Sequence, residues 1–338
     1  LTDGVQGFIM VGVGVLVAVL FCLGYGIEGG FDGMISALGS QDENLVGWLN
    51  VTDVLYHSWW AIFAVFLAHV PLGMLPHIGN KLWALKEPTQ RMQFIRLAFV
   101  FALILAMLGF GGIMARVILG EGIDSNQALA LLFIDLFPSW FAALLGVGIL
   151  AAVMSTADGL VVSSSQIVAN DLYRLSFVPR YRKDLSEEEV EKRSLNISRI
   201  STVVIMILCT LLAWQTLDMN VTILVWIGVG CMMAAFAGPL ILGSVWSGVT
   251  KAGAFAGLLT GGGVYIITYL GVINPEWFGP GSLQDIALWL QRESPNPYSC
   301  AAMGEIASIA VTVVVSKLTV PYPKEHIEAL FGKTVPTD

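Results

Sequence analysis

The sequence predicts an all-α membrane protein with about eight transmembrane helices, and three observations carry that expectation. Of 338 residues, 56% are hydrophobic and only 12% charged, against roughly 25% charged in soluble domains. Apolar runs of about 20 residues, the length that crosses a bilayer core, recur along the chain. The basic residues are segregated into alternate loops, as the positive-inside rule requires of a membrane protein.

The runs lie at 5–24, 54–75, 95–119, 138–166, 197–217, 221–245, 253–273 and 301–320. The loops 81–96, 174–199 and 250–251 and the tail are placed on one side. Only Arg116 and Arg292 of the 17 Lys and Arg then fall on the other. A miscounted span would scramble this bias, so the basic side is read as cytoplasmic. The expectation is one integral membrane domain over 1–338, with a cytoplasmic loop at 174–199 and a cytoplasmic tail at 321–338. The net charge of −8 is divided between loops and says nothing of partners. No basic footprint for nucleic acid is present, and the partner expected from composition is the lipid bilayer.

The first span follows directly on "LTDGVQGFIM". Leu1 is no initiator and no charged leader precedes the apolar run, which is expected of a piece of a longer protein. The loop at 25–53 carries Glu28, Asp32, Asp42, Glu43 and Asp53 and is expected outside. The second span contains "AHVPLGMLPHIGNK". Pro71 has no amide hydrogen, and Gly73 and Pro76 follow closely, so a broken helix with freed carbonyls is expected. Broken helices of this kind mark binding sites in transporters; a plain proline kink is the alternative.

The fourth span ends in "AAVMSTADGLVVSSSQ", residues 151–166. On a helix, Ala152, Ser155 and Thr156 stand at i, i+3 and i+4 and share one face. Two hydroxyls and one carbonyl supply about half the oxygen shell of a hard monovalent cation. The alternative is that the hydroxyls bond back to carbonyls one turn earlier. Asp158 stands about one turn beyond Ser155. A carboxylate deep in a span faces a cavity or a partner, unless the span already ends in cytoplasmic water there. After the fourth span, Ser186 followed by Glu189 reads as a capping box on a short surface helix. The small residues of "GVGCMMAAFAG" and "GAFAGLLTGGG" in the sixth and seventh spans are read as close helix packing. The four cysteines form no CxxC pair, so neither a disulfide framework nor a zinc site is expected. No cofactor is implied.

Four segments in matching order resemble the sodium/solute symporter family. They are "TDGVQGFIM", "LPHIGNKLWALK", "AAVMSTADGLVVSSSQIVANDLYR" and "GPLILGSVWSGVTKAGAFAGLLTG". The resemblance implies an inverted-repeat transporter with alternating access. The chain would hold the last helix of the first repeat, the second five-helix repeat and two further helices, and would be an N-terminally truncated member. It implies a sodium site at Ala152 (by its carbonyl), Ser155 and Thr156. It implies substrate contacts at Ala68, Leu72 and Pro76. Proline-type members carry aromatic residues at the first two of these positions, and Ala68 and Leu72 depart from that. Asp3 matches the aspartate of a second sodium site found in some members, and Asp158 replaces one of its hydroxyls. Asp3 and Asp158 are therefore expected to approach each other, and two close carboxylates would share a second cation or a proton.

The function implied is sodium-coupled symport of a small polar organic solute, a carboxylate, amino acid or pantothenate-like compound. The expected setting is the cell (inner) membrane with a cytoplasmic C-terminus. A non-transporting fragment, or a sensor or structural subunit of the same fold, is the alternative. An intramembrane enzyme using Ser163, Ser164 or Ser165 is not expected. None of the four histidines has a GxSx-type partner nearby in sequence, and a nucleophile needs a base within hydrogen-bond reach.

Overall fold

The structure is a computed structural model that describes residues 2–85 and 87–331; the side chains of Asp3 and Ala152 lie outside the described residues. The described residues are helical or irregular, with no strand among them. Among the described residues, seven helices are long and apolar enough to cross a membrane: Gly4–Leu23, Thr89–Leu119, Ser139–Tyr181, Glu187–Gln215, Val221–Val245, Lys251–Tyr269 and Pro297–Leu318. They coincide with seven of the eight expected runs. The remaining run, the second, is the shorter apolar segment Trp59–Met74.

By its contacts the chain falls into two compact units, Leu1–Val46 with Pro76–Asn220, and Gly47–Leu75 with Val221–Asp338. The first unit begins with α1 (Thr2–Leu23) and α2 (Gly30–Gln41) and resumes with α4 (Pro76–Trp83), α5 (Pro88–Ala106), α6 (Gly109–Leu119) and α7 (Ala128–Leu136). It ends with α8 (Ser139–Gln166), α9 (Val178–Tyr181) and α10 (Glu187–Gln215). Helix α3 (Trp59–Ala68) belongs to the second unit, with α11 (Val221–Phe236), α12 (Gly243–Val245), α13 (Lys251–Tyr269), α14 (Ser282–Glu293), α15 (Pro297–Leu318) and α16 (Lys324–Phe331).

In the first unit, α1 packs against α5, α6 and α8. Val13, Val17, Phe133, Ala142 and Leu145 form one buried cluster, and Leu20, Met34, Met114 and Leu132 belong to another. The fourth expected span runs further than its sequence suggested. Helix α8 passes through a π-wound stretch, Ile167–Phe177, into α9, making one run of 43 residues. The wider winding shows in Ser176, whose hydroxyl donates to the carbonyl of Asp171, five residues back. The capping box at Ser186 and Glu189 is present. It does not open a short surface helix, however. It opens α10, 29 residues long, which continues without a break through the fifth span. Charged residues in the first turns leave the apolar run, but nothing in them interrupts the backbone ladder.

In the second unit, α13 and α15 are held at backbone range. A Cβ added at Gly257 would collide with Thr312 on α15, and one at Gly261 with Ser308 on α15 and with the carbonyl oxygen of Ala234 on α11. Small residues here serve close helix packing, as the sequence suggested. Helix α11 ends at Phe236 and passes into a π-wound turn, Ala237–Leu242, where the amide of Gly238 donates to Ser308 Oγ at 3.0 Å.

Candidate functional site

The polar stretch of α8 lies in regular helix throughout. Ser155 is half-buried, and Thr156 and Asp158 are exposed. Ser163 and Ser165 are buried, and Ser165 Oγ donates to the Val162 carbonyl at 2.9 Å. The start of α4 packs on α8 at this level: a Cβ added at Gly159 would lie 3.9 Å from His77 Cβ. Pro76, the first residue of α4, is in the same unit as Ser155 and Thr156.

Helix α1 packs on α8 around residues 142–148, and its register can be read from that packing. A Cβ added at Gly148 would lie 3.0 Å from both Ile9 and Val13. As α1 ascends to Val17, its partners on α8 fall back to Leu145 and Ala142, so the two helices run antiparallel. Counting equal rises from Gly148 brings Gln6 level with about residue 153 and Asp3 level with about residue 156. Gln6 stands seven residues before Val13 and therefore on the same face of α1. Its Oε1 is buried with no hydrogen-bond partner among the described residues. A side-chain oxygen with no donor is thus aligned with the face of Ser155 and Thr156. The expected approach of Asp3 to Asp158 is a matter of side chains, and Asp3's lies outside the described residues, as does Ala152's.

In the second unit the expected break is present. Ser58 caps α3 by accepting from the Ala61 amide at 3.1 Å, and the α-helix stops at Ala68. A 3₁₀ turn, Val70–Met74, follows, and Leu75 is extended. Pro71 sits in that turn and cannot donate. Ala68 is fully buried, as are Ala61 and Ala64 along α3, which packs on α15. Leu72 is half-buried in the 3₁₀ turn. Of the three expected substrate contacts, Ala68 and Leu72 belong to the second unit and Pro76 to the first. The His69 ring, at the break, lies 4.6 Å from the Trp226 ring and 6.0 Å from the Tyr298 ring. Those two are 4.3 Å apart.

A buried polar network ties the segment before α3 to the start of α15. His57 Nε2 is 2.9 Å from Glu293 Oε1, and Nδ1 is 3.0 Å from the Val54 carbonyl. Ser299 Oγ donates to Glu293 Oε2 at 2.6 Å. Asn296 caps α15, accepting from the amides of Tyr298 and Ser299. His57, Glu293, Asn296 and Ser299 are all buried. A carbonyl only accepts, so Nδ1 carries a hydrogen, and a single further proton joins Nε2 to the carboxyl.

A family model described as the sodium:solute symporter family matches residues 1–261. The chain belongs to the sodium:solute symporter family. Among similar proteins, the sodium/pantothenate symporter of Haemophilus influenzae is 26% identical over 279 residues, covering 80% of this chain and 54% of that protein. The sodium/pantothenate symporter of Escherichia coli is 25% identical over 286 residues, covering 82% of this chain and 55% of that protein. A sodium/proline symporter of Staphylococcus aureus is 25% identical over 321 residues, covering 94% and 58%. The chain thus spans about half the length of the curated relatives it matches. The family match ends within α13, so α14, α15 and α16 lie after it.

Within this symporter-family chain, sequence reading missed three features. Gln6 stood inside a quoted motif, but nothing in the sequence says that its oxygen is buried without a donor. The His57–Glu293 pair joins residues 236 apart in sequence. The aromatic group around His69 comes from three separate helical segments.

Proposed function

We propose that this chain takes part in sodium-coupled symport of a small polar organic solute, a carboxylate, amino acid or pantothenate-like compound. The proposed setting is the cell (inner) membrane, with the C-terminus in the cytoplasm. The observation that carries this reading is the alignment on α1 and α8. Ser155 and Thr156 present hydroxyls on one face, and Gln6, on the facing helix, presents an oxygen with no donor. Sodium is held by neutral oxygens of this kind, and Ala152 adds its carbonyl in the proposed shell. Asp3 and Asp158 form a second cation or proton site one turn along. Ala68, Leu72 and Pro76 mark the solute side, where the broken helix frees backbone carbonyls.

Coupling in this scheme is differential binding. Sodium stabilises the arrangement that also binds solute, and its loss to a low internal concentration releases both. The chemistry is binding and release, and no bond of the solute is changed. The resident ion is Na+ as cargo, and no cofactor takes part.

The test is sodium activation of solute uptake by the protein of the complete gene in proteoliposomes. Ser155→Ala and Thr156→Ala are each expected to raise the sodium concentration for half-maximal uptake about tenfold, the loss of roughly 1.4 kcal/mol of binding. An unchanged sodium activation curve in both variants overturns the assignment. The solute itself is found by a thermal-shift screen of carboxylates, amino acids and pantothenate with and without sodium.

A further inference from the structure

The side of α15 that shares a face with Tyr298 carries a carboxyl group that the sodium reading leaves unused. Glu305 is the ninth residue of the 22-residue helix Pro297–Leu318, roughly 12 Å along it. It is 1% exposed. Its Oε1 is buried with no hydrogen-bond partner among the described residues. Tyr298, seven residues earlier, and Ala302, three earlier, lie on the same side of the helix. Tyr298 packs on Trp226 of α11 and on His69 at the helix break.

The elements packed on α15 are α3, α11, α13 and the turn at 237–242. Their titratable groups, with those at the ends of α15, are accounted for elsewhere. His57 is engaged by Val54 and Glu293, and the His69 ring by the Val65 carbonyl. The Tyr265 hydroxyl donates to the Trp226 carbonyl, and Tyr269 stacks on Tyr265. Cys231 and Cys300 are thiols, and Arg292 and Glu293 stand before α15 begins. Lys251 and Lys317 lie near the far end of α15, since Gly253 packs on Ser316. Among the described residues no ion pair reaches Glu305. An ionised carboxylate here has neither water nor a counter-charge, the costliest state for such a group.

We propose that Glu305 is a proton-binding site. Its carboxyl holds a proton while α15 is packed against α3 and α11. When that packing opens, the O–H bond breaks and the proton passes to water. This goes beyond the sodium reading and uses none of its residues.

Infrared spectroscopy of the whole chain in lipid nanodiscs, with ¹³C-labelled glutamate, tests the site directly. The expected result is a protonated-carboxyl band at mildly acidic pH that shifts with the label and is lost at alkaline pH. It is absent from Glu305→Gln. In Glu305→Asp a protonated-carboxyl band remains but no longer shifts with labelled glutamate, which decides the assignment if Glu305→Gln does not fold. Identical label-sensitive bands in the wild type and both variants overturn the site. Proton release is read with a pH dye in proteoliposomes of the complete gene's protein. Proton movement should accompany solute uptake and fall at least fivefold in Glu305→Gln. Uptake without proton movement overturns the release step and leaves symport standing. Absence of uptake overturns the symport reading, while the infrared result still decides Glu305.

Discussion

Glu293 and His57 set the energetics of the second unit at the scale of single residues. Each is buried and each depends on the other. Removing one partner leaves the other as an uncompensated buried group, which costs about 3–5 kcal/mol. Glu293→Ala should therefore lower the thermal midpoint of the purified protein far more than Ser299→Ala, which removes one hydrogen bond. Equal midpoints for the two variants would show that the pair is not a stabilising element. Asp158 makes a different prediction. Asp158→Ser should change the pH dependence or the sodium stoichiometry of transport, measured as sodium and solute flux ratios, because it removes one carboxylate of the proposed second site. At this scale the sequence was informative where chemistry is local. That Ser155 and Thr156 share one face of a helix was legible from their spacing. Glu293 was not, because its partner is 236 residues away and a lone acid before a span reads as an ordinary loop charge.

Helices add a second layer, in which local rules decide boundaries and close approach decides packing. The capping box at Ser186 satisfies two terminal groups at once, and Ser186→Ala should cost about 1 kcal/mol. Amide hydrogen exchange over 187–190 checks it: protection should fall there and not beyond Arg199. Gly257 tests the second rule. A Cβ at this position collides with Thr312 on α15, so Gly257→Ala should destabilise the second unit by about 1–3 kcal/mol. Gly263, with open space around the added carbon, serves as the control. The broken segment was legible because Pro71, Gly73 and Pro76 each remove helix support for a separate reason. The length of α10 was not legible. Arg193 and Arg199 end the apolar run, yet a helix in water beyond the membrane needs no apolar residues to continue.

The distribution of charge governs the molecule as a whole. Fifteen of its basic side chains are assigned to one side, and that assignment is testable without transport. A single cysteine at Lys183, between α9 and α10, in a background cleared of the four native cysteines, should react with a membrane-impermeant maleimide only from the cytoplasmic side. Reaction from outside would invert the whole orientation. The places of the long apolar helices were legible because bilayer thickness fixes the length of each run, whereas the second of the eight expected runs forms only the shorter segment Trp59–Met74. The division into two units was not, because it depends on which helices touch, and hydropathy is silent about neighbours.

The continuous run from Ser139 to Tyr181 has a mechanical consequence. Its 43 residues make a rod of roughly 60 Å, about twice the hydrocarbon thickness it crosses. A rod pivoting in the bilayer is a lever. A tilt of about ten degrees at the level of Ser155 is small, yet it carries the tip near Tyr181 through several ångströms. Paired spin labels on Tyr181 and on Gln215, at the far end of α10, would read such a swing, with sodium added and withdrawn.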